Sequence, residues 1–248
     1  MSNTIICIPA RFGSTRFPGK PLVSILGKPM LWHVWHACIQ VVEQAQVIIA
    51  TDHPTIADTM TSYGAKVVMT DAHLPNGTLR CFSAWQSIQK DYPHITSLIN
   101  VQGDEPALDP NHLKQFIREG TALNTPVFTP RVKMQGENDL WQSPHVVKVV
   151  ADEKNHALYF SRSPIPAQER SNQHLWYRHL GLYGFQIQDI PSLEACPLGV
   201  LAATEQLEQL SWLEAGFSIG LVTLPPSGPA VDVPEDVRAV EQWMSRTL

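Results

Sequence analysis

The chain has 248 residues, 44% of them hydrophobic and 17% charged, with a formal net charge of −5. That balance excludes a disordered chain, and no apolar run reaches the roughly 18–20 residues that span a bilayer, so no membrane insertion is expected. A nucleic-acid surface is excluded too, because counterion release needs a basic stripe and no Lys/Arg block occurs. The first residues, MSNTIICIPARF, lack a basic region leading into a long apolar stretch; no signal peptide is read, and a cytoplasmic location is expected. Four cysteines (Cys7, Cys38, Cys81, Cys196) form no CxxC pair and read as ordinary thiols of a reducing compartment.

In chain order, TIICIPA (4–10) is a short apolar run ending in a loop rich in Gly, Pro, Ser and Arg, the pattern of a buried strand and the turn after it. MLWHVWHACIQVV has helical spacing, with Pro29 suited to its first turn. QVIIATD (46–52) predicts a second strand, PTIADTMTSYG (54–64) a helix stopped by Gly64, and KVVMT (66–70) a third strand. Residues 78–90 predict a third helix and SLINVQ (97–102) a fourth strand. Four alternations of strand and helix imply an α/β fold with a parallel sheet covered by helices, whose ligands bind at the carboxyl ends of the strands. The loops at 11–21, 71–80 and 103–106 all fall near those ends.

After about residue 125 the texture turns β-rich. TPVFTPRV, HVVKVVAD, HALYFSR and YRHLGLYGFQ each read as a strand, and 201–215 as helical up to Gly216. FSIGLVTL reads as a last strand and PEDVRAVEQWMSR as a closing helix with Pro234 near its start. The expected organisation is a core of 1–125 and 217–248 with a smaller β-rich insertion at 126–216.

Three segments carry chemistry. In PARFGSTRFPGKPL (9–22), Arg11, Arg16 and Lys20 place three cations within ten residues beside Gly13 and Gly19, which suits a polyphosphate, although the Walker spacing is absent. VQGDEP (101–106) sets Asp104 and Glu105 directly after a strand, where Mg²⁺ would find carboxylate oxygen together with substrate phosphate. In VDVPED (231–236), Glu235 and Asp236 complement the last helix's dipole, leaving Asp232 outside the helix to reach a ligand. Each has an ordinary alternative: a basic surface loop, a helix-capping acidic turn, and a helix cap.

Taken in order, PARFGSTRFPGKPL, INVQGDEP, VVKVV, ALYFSRSPIP, RHLGLYGF, EQLEQL and VDVPEDV closely resemble the bacterial 3-deoxy-manno-octulosonate (Kdo) cytidylyltransferases from end to end. The resemblance implies a Rossmann-like, mostly parallel sheet of the nucleotide-diphospho-sugar transferase type with a smaller dimerisation subdomain, hence a homodimer. It implies transfer of CMP from CTP to an acidic 3-deoxy octulosonate sugar. Arg11, Ser14 and Lys20 match the loop around the CTP triphosphate, with Pro9 and Ala10 leading into it, and Arg80 of NGTLR matches a nucleotide contact. Asp104 and Asp232 match the Mg²⁺ aspartates. Lys20, Arg11 and Asp104 are the groups implied to act in catalysis. Gln102, Arg162, His179, Tyr183, Glu208 and Gln209 match positions around the sugar. His33 and His36, among apolar neighbours on a helix, read instead as packed side chains, and Trp32, Trp35, Trp141 and Trp212 as core or interface.

The departures from the family pattern cluster. Asn76 and Leu79 replace the Ser and Glu of SGTER, and His145 stands for an Asn. PLGV (197–200) lacks a glutamate, and Ser211 replaces an Arg. Altered pocket edges around intact phosphate and metal positions imply the same reaction on Kdo or on 8-amino-3,8-dideoxy-manno-octulosonate; charge counting does not choose between them. The rival readings are a sialic-acid-type cytidylyltransferase and a CTP-binding protein without turnover.

Overall fold

The computed structural model describes residues 3–13, 17–136, 139–167 and 175–247. The chain forms two compact units, one of 1–114 with 227–248 and the other of 115–226.

In the first unit the long apolar runs become the inner strands of a parallel sheet. β1 (Thr4–Ala10) is buried at all seven positions. The hairpin β2 (Ser24–Ile25) and β3 (Lys28–Pro29) precedes α1 (Met30–Ile39). β4 (Val47–Thr51), α2 (Pro54–Ser62), β5 (Lys66–Met69), α3 (Gly77–Ile88) and β6 (Ser97–Asn100) follow, and α4 (Pro110–Thr121) crosses the division. β1 pairs in parallel with β4 and β6, and β4 pairs in parallel with β5. The continuous burial of β1, β4 and β6 is what a parallel sheet flanked by helices requires.

The second unit is built on β7 (Val127–Gln135), followed by α5 (Asp139–Gln142), β8 (Lys148–Ala151), β9 (Ala157–Ser161), β10 (Leu175–His179) and β11 (Tyr183–Gln186). α6 (Ile190–Glu194), α7 (Val200–Glu205), α8 (Gln209–Glu214) and β12 (Ile219–Leu224) complete it. β12 pairs in parallel with β7, while β10 and β11 pair with it antiparallel. That pairing puts β12 in the second unit, so the division falls at 226/227 rather than at 216/217.

Two elements differ from the sequence reading. YRHLGLYGFQ is interrupted: the seven residues from Arg178 to Gly184 oppose only five on β7, from Val132 to Phe128. The Thr129 hydroxyl fills the break, lying 2.7 Å from the Leu182 carbonyl and 2.8 Å from His179 Nε2. The 201–215 helix is two helices, because Gln206 turns left-handed at φ 53° and Leu207 is carried into the core.

The last helix, α9 (Asp236–Thr247), closes the first unit. Val240 and Met244 join Val231, Ile25, Met30 and Ala107 in one apolar cluster, with Trp243 packed against it. The chain segment carrying Asp232 is thereby fixed beside the strand-end loops.

Candidate active site

Three loops of the first unit are brought together where its strands end. Gly103 and Gly77 both crowd Pro9: a Cβ at either would lie 3.0 Å from a Pro9 atom, so larger residues would push the loops apart. Val231 N donates to the Asp104 carbonyl at 3.0 Å, tying the VDVPED segment to the GDEP turn. Lys20 completes the link. Its Nζ donates to Asp104 Oδ2 at 2.8 Å and to the Val231 carbonyl at 2.9 Å, and lies 4.0 Å from Asp232 Oδ1.

The result is a cavity of about 320 Å³. Pro9, Ala10, Arg11, Lys20, Arg80, Gln102, Asp104 and Asp232 all line it, from five separate stretches of sequence. Ser14 falls outside the described residues. Arg11 is exposed, whereas Arg80 is only 3% exposed. The guanidinium of Arg80 donates from Nη1 to Thr70 Oγ1 and to the Asp71 carbonyl, and from Nη2 to Asp52 Oδ2 at 3.1 Å. Asp52 is a site-supporting residue that the sequence reading passed over; its only signal was a carboxylate directly after the VIIAT strand. Gln102 is steadied by Asn100, which in turn bonds Thr78 on α3.

Among the described residues no group of three or more His, Cys, Asp or Glu side chains could enclose a metal. Asp104 and Asp232 together fit Mg²⁺ of the other kind, held by one or two carboxylates and completed by substrate phosphates. Lys20, between the two, supplies the compensating charge within the protein.

The remaining sugar candidates lie in the second unit. His179 is buried against Phe160 and Tyr183, at ring separations of 4.8 and 5.6 Å, and burial pushes its pKa down to about 3. Because the Thr129 hydroxyl has one proton and Leu182 O accepts it, the neutral ring donates from Nε2 to Thr129 Oγ1, an assignment made from the hydrogen-bond network. Tyr183 is 4% exposed and packs edge-on to Trp212; burial raises its phenol well above the ordinary value. Arg162 directs its guanidinium to the carbonyls of Glu205, Pro144 and Gln206. Glu208 and Gln209 begin α8, Gln209 buried with its Nε2 unpaired among the described residues.

Several departures gain a local explanation. Asn76 caps α3, its Oδ1 accepting from Leu79 N at 2.8 Å. His145 is exposed. Ser211 is 8% exposed, with its Oγ 3.4 Å from Gly199 N. A Cβ at Gly199 would overlap the Glu214 carboxylate, which accepts from Leu201 N and Ala202 N at the start of α7; with glycine at 199, Glu214 takes that space.

Comparison with known proteins agrees with this geometry. The cytidylyltransferase family model matches residues 5–219. A 3-deoxy-manno-octulosonate cytidylyltransferase of Chlorobium limicola is 39% identical, covering 99% of this chain and 98% of that protein. An 8-amino-3,8-dideoxy-manno-octulosonate cytidylyltransferase of Shewanella halifaxensis is 38% identical, covering 96% and 97%. A solved CMP:2-keto-3-deoxy-manno-octonic acid synthetase complexed with CTP superimposes with a TM-score of 0.91 at 33% identity, covering 99% of each chain. Full-length matches at this level, over a chain whose Lys20 and strand-end Asp104 meet at one cavity, mean that it belongs to the cytidylyltransferase family of nucleotidyltransferase enzymes, with the manno-octulosonate cytidylyltransferases as its relatives.

Proposed function

We propose that the protein transfers CMP from CTP to the anomeric hydroxyl of Kdo or of 8-amino-3,8-dideoxy-manno-octulosonate, releasing pyrophosphate, with Mg²⁺, as a step of lipopolysaccharide synthesis. It would act as a cytoplasmic homodimer. The observation that carries the reading is the meeting of Lys20, Asp104 and Asp232 in the cavity that Arg11, Arg80 and Gln102 also line.

In the reaction the anomeric oxygen forms a bond to the α-phosphorus, the bond from that phosphorus to the β-phosphate oxygen breaks, and the hydroxyl proton is released to solvent. Such a transfer asks for alignment and charge neutralisation and needs no covalent nucleophile. Lys20 and Arg11 would bind the triphosphate and stabilise the charge gathering on pyrophosphate. Arg80, held rigidly by Asp52 and Thr70, would orient the nucleotide. Asp104 and Asp232 would hold Mg²⁺, which supplies positive charge that neutralises the phosphates and acidifies the attacking hydroxyl. His179, neutral across the physiological range, would serve as a shaped, uncharged wall rather than as a proton carrier.

Ser211 uses its hydroxyl inside its own unit, so its lack of charge does not by itself recognise an ammonium. Asp104→Ala and Asp232→Ala test the metal reading. Each variant should fold and lose Mg²⁺-dependent turnover by at least about a hundredfold, the scale of removing one preorganised electrostatic group. Near-normal turnover in either folded variant would refute the two-aspartate site.

A further inference from the structure

We propose that Asp52 is a positioning residue for nucleotide binding, acting through Arg80; the proposal rests on reading the cavity as the CTP site. Arg80 rises from the first turn of α3 and is 3% exposed, so its charge needs a fixed partner. Asp52, immediately after β4, supplies it at 3.1 Å, while Thr70, immediately after β5, takes the other edge of the guanidinium. Thr70 is itself pinned to the Thr51 carbonyl, through N at 2.8 Å and through Oγ1 at 3.2 Å. Two neighbouring strand ends therefore grip the fork from both sides. Among the described residues three of its five N–H groups are used this way, and in this proposal the other two serve a phosphate, ribose or carbonyl oxygen of the nucleotide.

Asp52 Oδ1 is buried without a hydrogen-bond partner among the described residues, and Arg80 is the side chain its Oδ2 meets. A carboxylate kept half-satisfied beside one arginine is placed to fix that arginine rather than to brace its own loop.

The test is a double-mutant cycle on the full chain, with CTP affinity read by calorimetry and folding by thermal melting. Asp52→Asn keeps the shape and an acceptor oxygen but removes the charge; it should weaken CTP binding about tenfold and, because it takes one partner from a buried ion pair, lower the melting temperature while the protein stays folded at the assay temperature. Arg80→Ala should weaken it at least as much. Asp52→Asn added to Arg80→Ala should cost nothing further, because the partner through which it acts is gone. If Asp52→Asn fails to fold, Thr70→Val, which removes the acceptor of Nη1, carries the same expectation. Wild-type CTP affinity in the folded Asp52 or Thr70 variant, with Arg80→Ala impaired, would overturn the positioning role and leave the CTP site standing. Wild-type affinity in Arg80→Ala would sink the assignment of Arg80 to that site. Additive losses in the double variant would show that Asp52 acts independently of Arg80 and would also overturn the proposal.

Discussion

Acidifying the protein from about pH 7.5 to about pH 5 should remove about 2 kcal/mol of folding free energy through His179 alone. Burial holds this imidazole's pKa at about 3 in the folded state, against about 6.5 in an unfolded chain. The folded value is the lower one, so the stabilising contribution is complete above about pH 6.5 and is lost as the pH falls toward 3. Across that window the unfolded chain binds a proton that the folded chain refuses. Each pH unit costs about 1.4 kcal/mol, and the interval from about 6.5 to about 5 gives the figure above. His179→Gln keeps a side-chain N–H to offer Thr129 Oγ1 and cannot titrate. Urea unfolding followed by tryptophan fluorescence, with Trp176 and Trp212 buried in the same unit, gives the stability of each form at both pH values. Wild type should lose about 2 kcal/mol more than the variant on acidification. The comparison also cancels other groups, including His33, which burial depresses in the same direction. Parallel pH dependences would refute the claim that His179 is buried neutral.

Two further substitutions probe packing in the second unit. Gly184→Ala would drive a Cβ into the Phe128 ring across β7 and β11, and should cost about 1–3 kcal/mol in a urea melt; an unchanged midpoint would mean that the ring can move aside. Lys148→Met leaves the carbonyls of Ser143, Val146 and Arg162 without their shared ammonium, and should destabilise by about 2–4 kcal/mol in the same assay. A loss below about 1 kcal/mol would mean that the desolvation cost of the buried cation, which also lowers its pKa, offsets its three hydrogen bonds.

The parallel half of the fold was legible because its inner strands are buried on every face and read as unbroken apolar runs: TIICIPA and VIIAT are buried at each position. The second unit was harder. Thr129 splits one strand through hydrogen bonds from a residue about fifty positions away, and no local periodicity encodes that. The break at Gln206 is equally a tertiary effect, since nothing in EQLEQL demands a left-handed residue there. At the site, Lys20 and Asp104 were found as chemistry near strand ends and Asp232 as a carboxylate just outside the last helix, and the cavity unites them. Asp52 was missed because a lone carboxylate after a strand carries no pattern; only the approach of Arg80 gives it a role.

The most direct test of the proposed activity is pyrophosphate release from CTP and Mg²⁺ by the purified protein, measured in parallel with Kdo and with 8-amino-3,8-dideoxy-manno-octulosonate. The account predicts release that depends on one of these sugars, with the larger kcat/KM naming the substrate. Well-folded protein that releases pyrophosphate with neither sugar would contradict it.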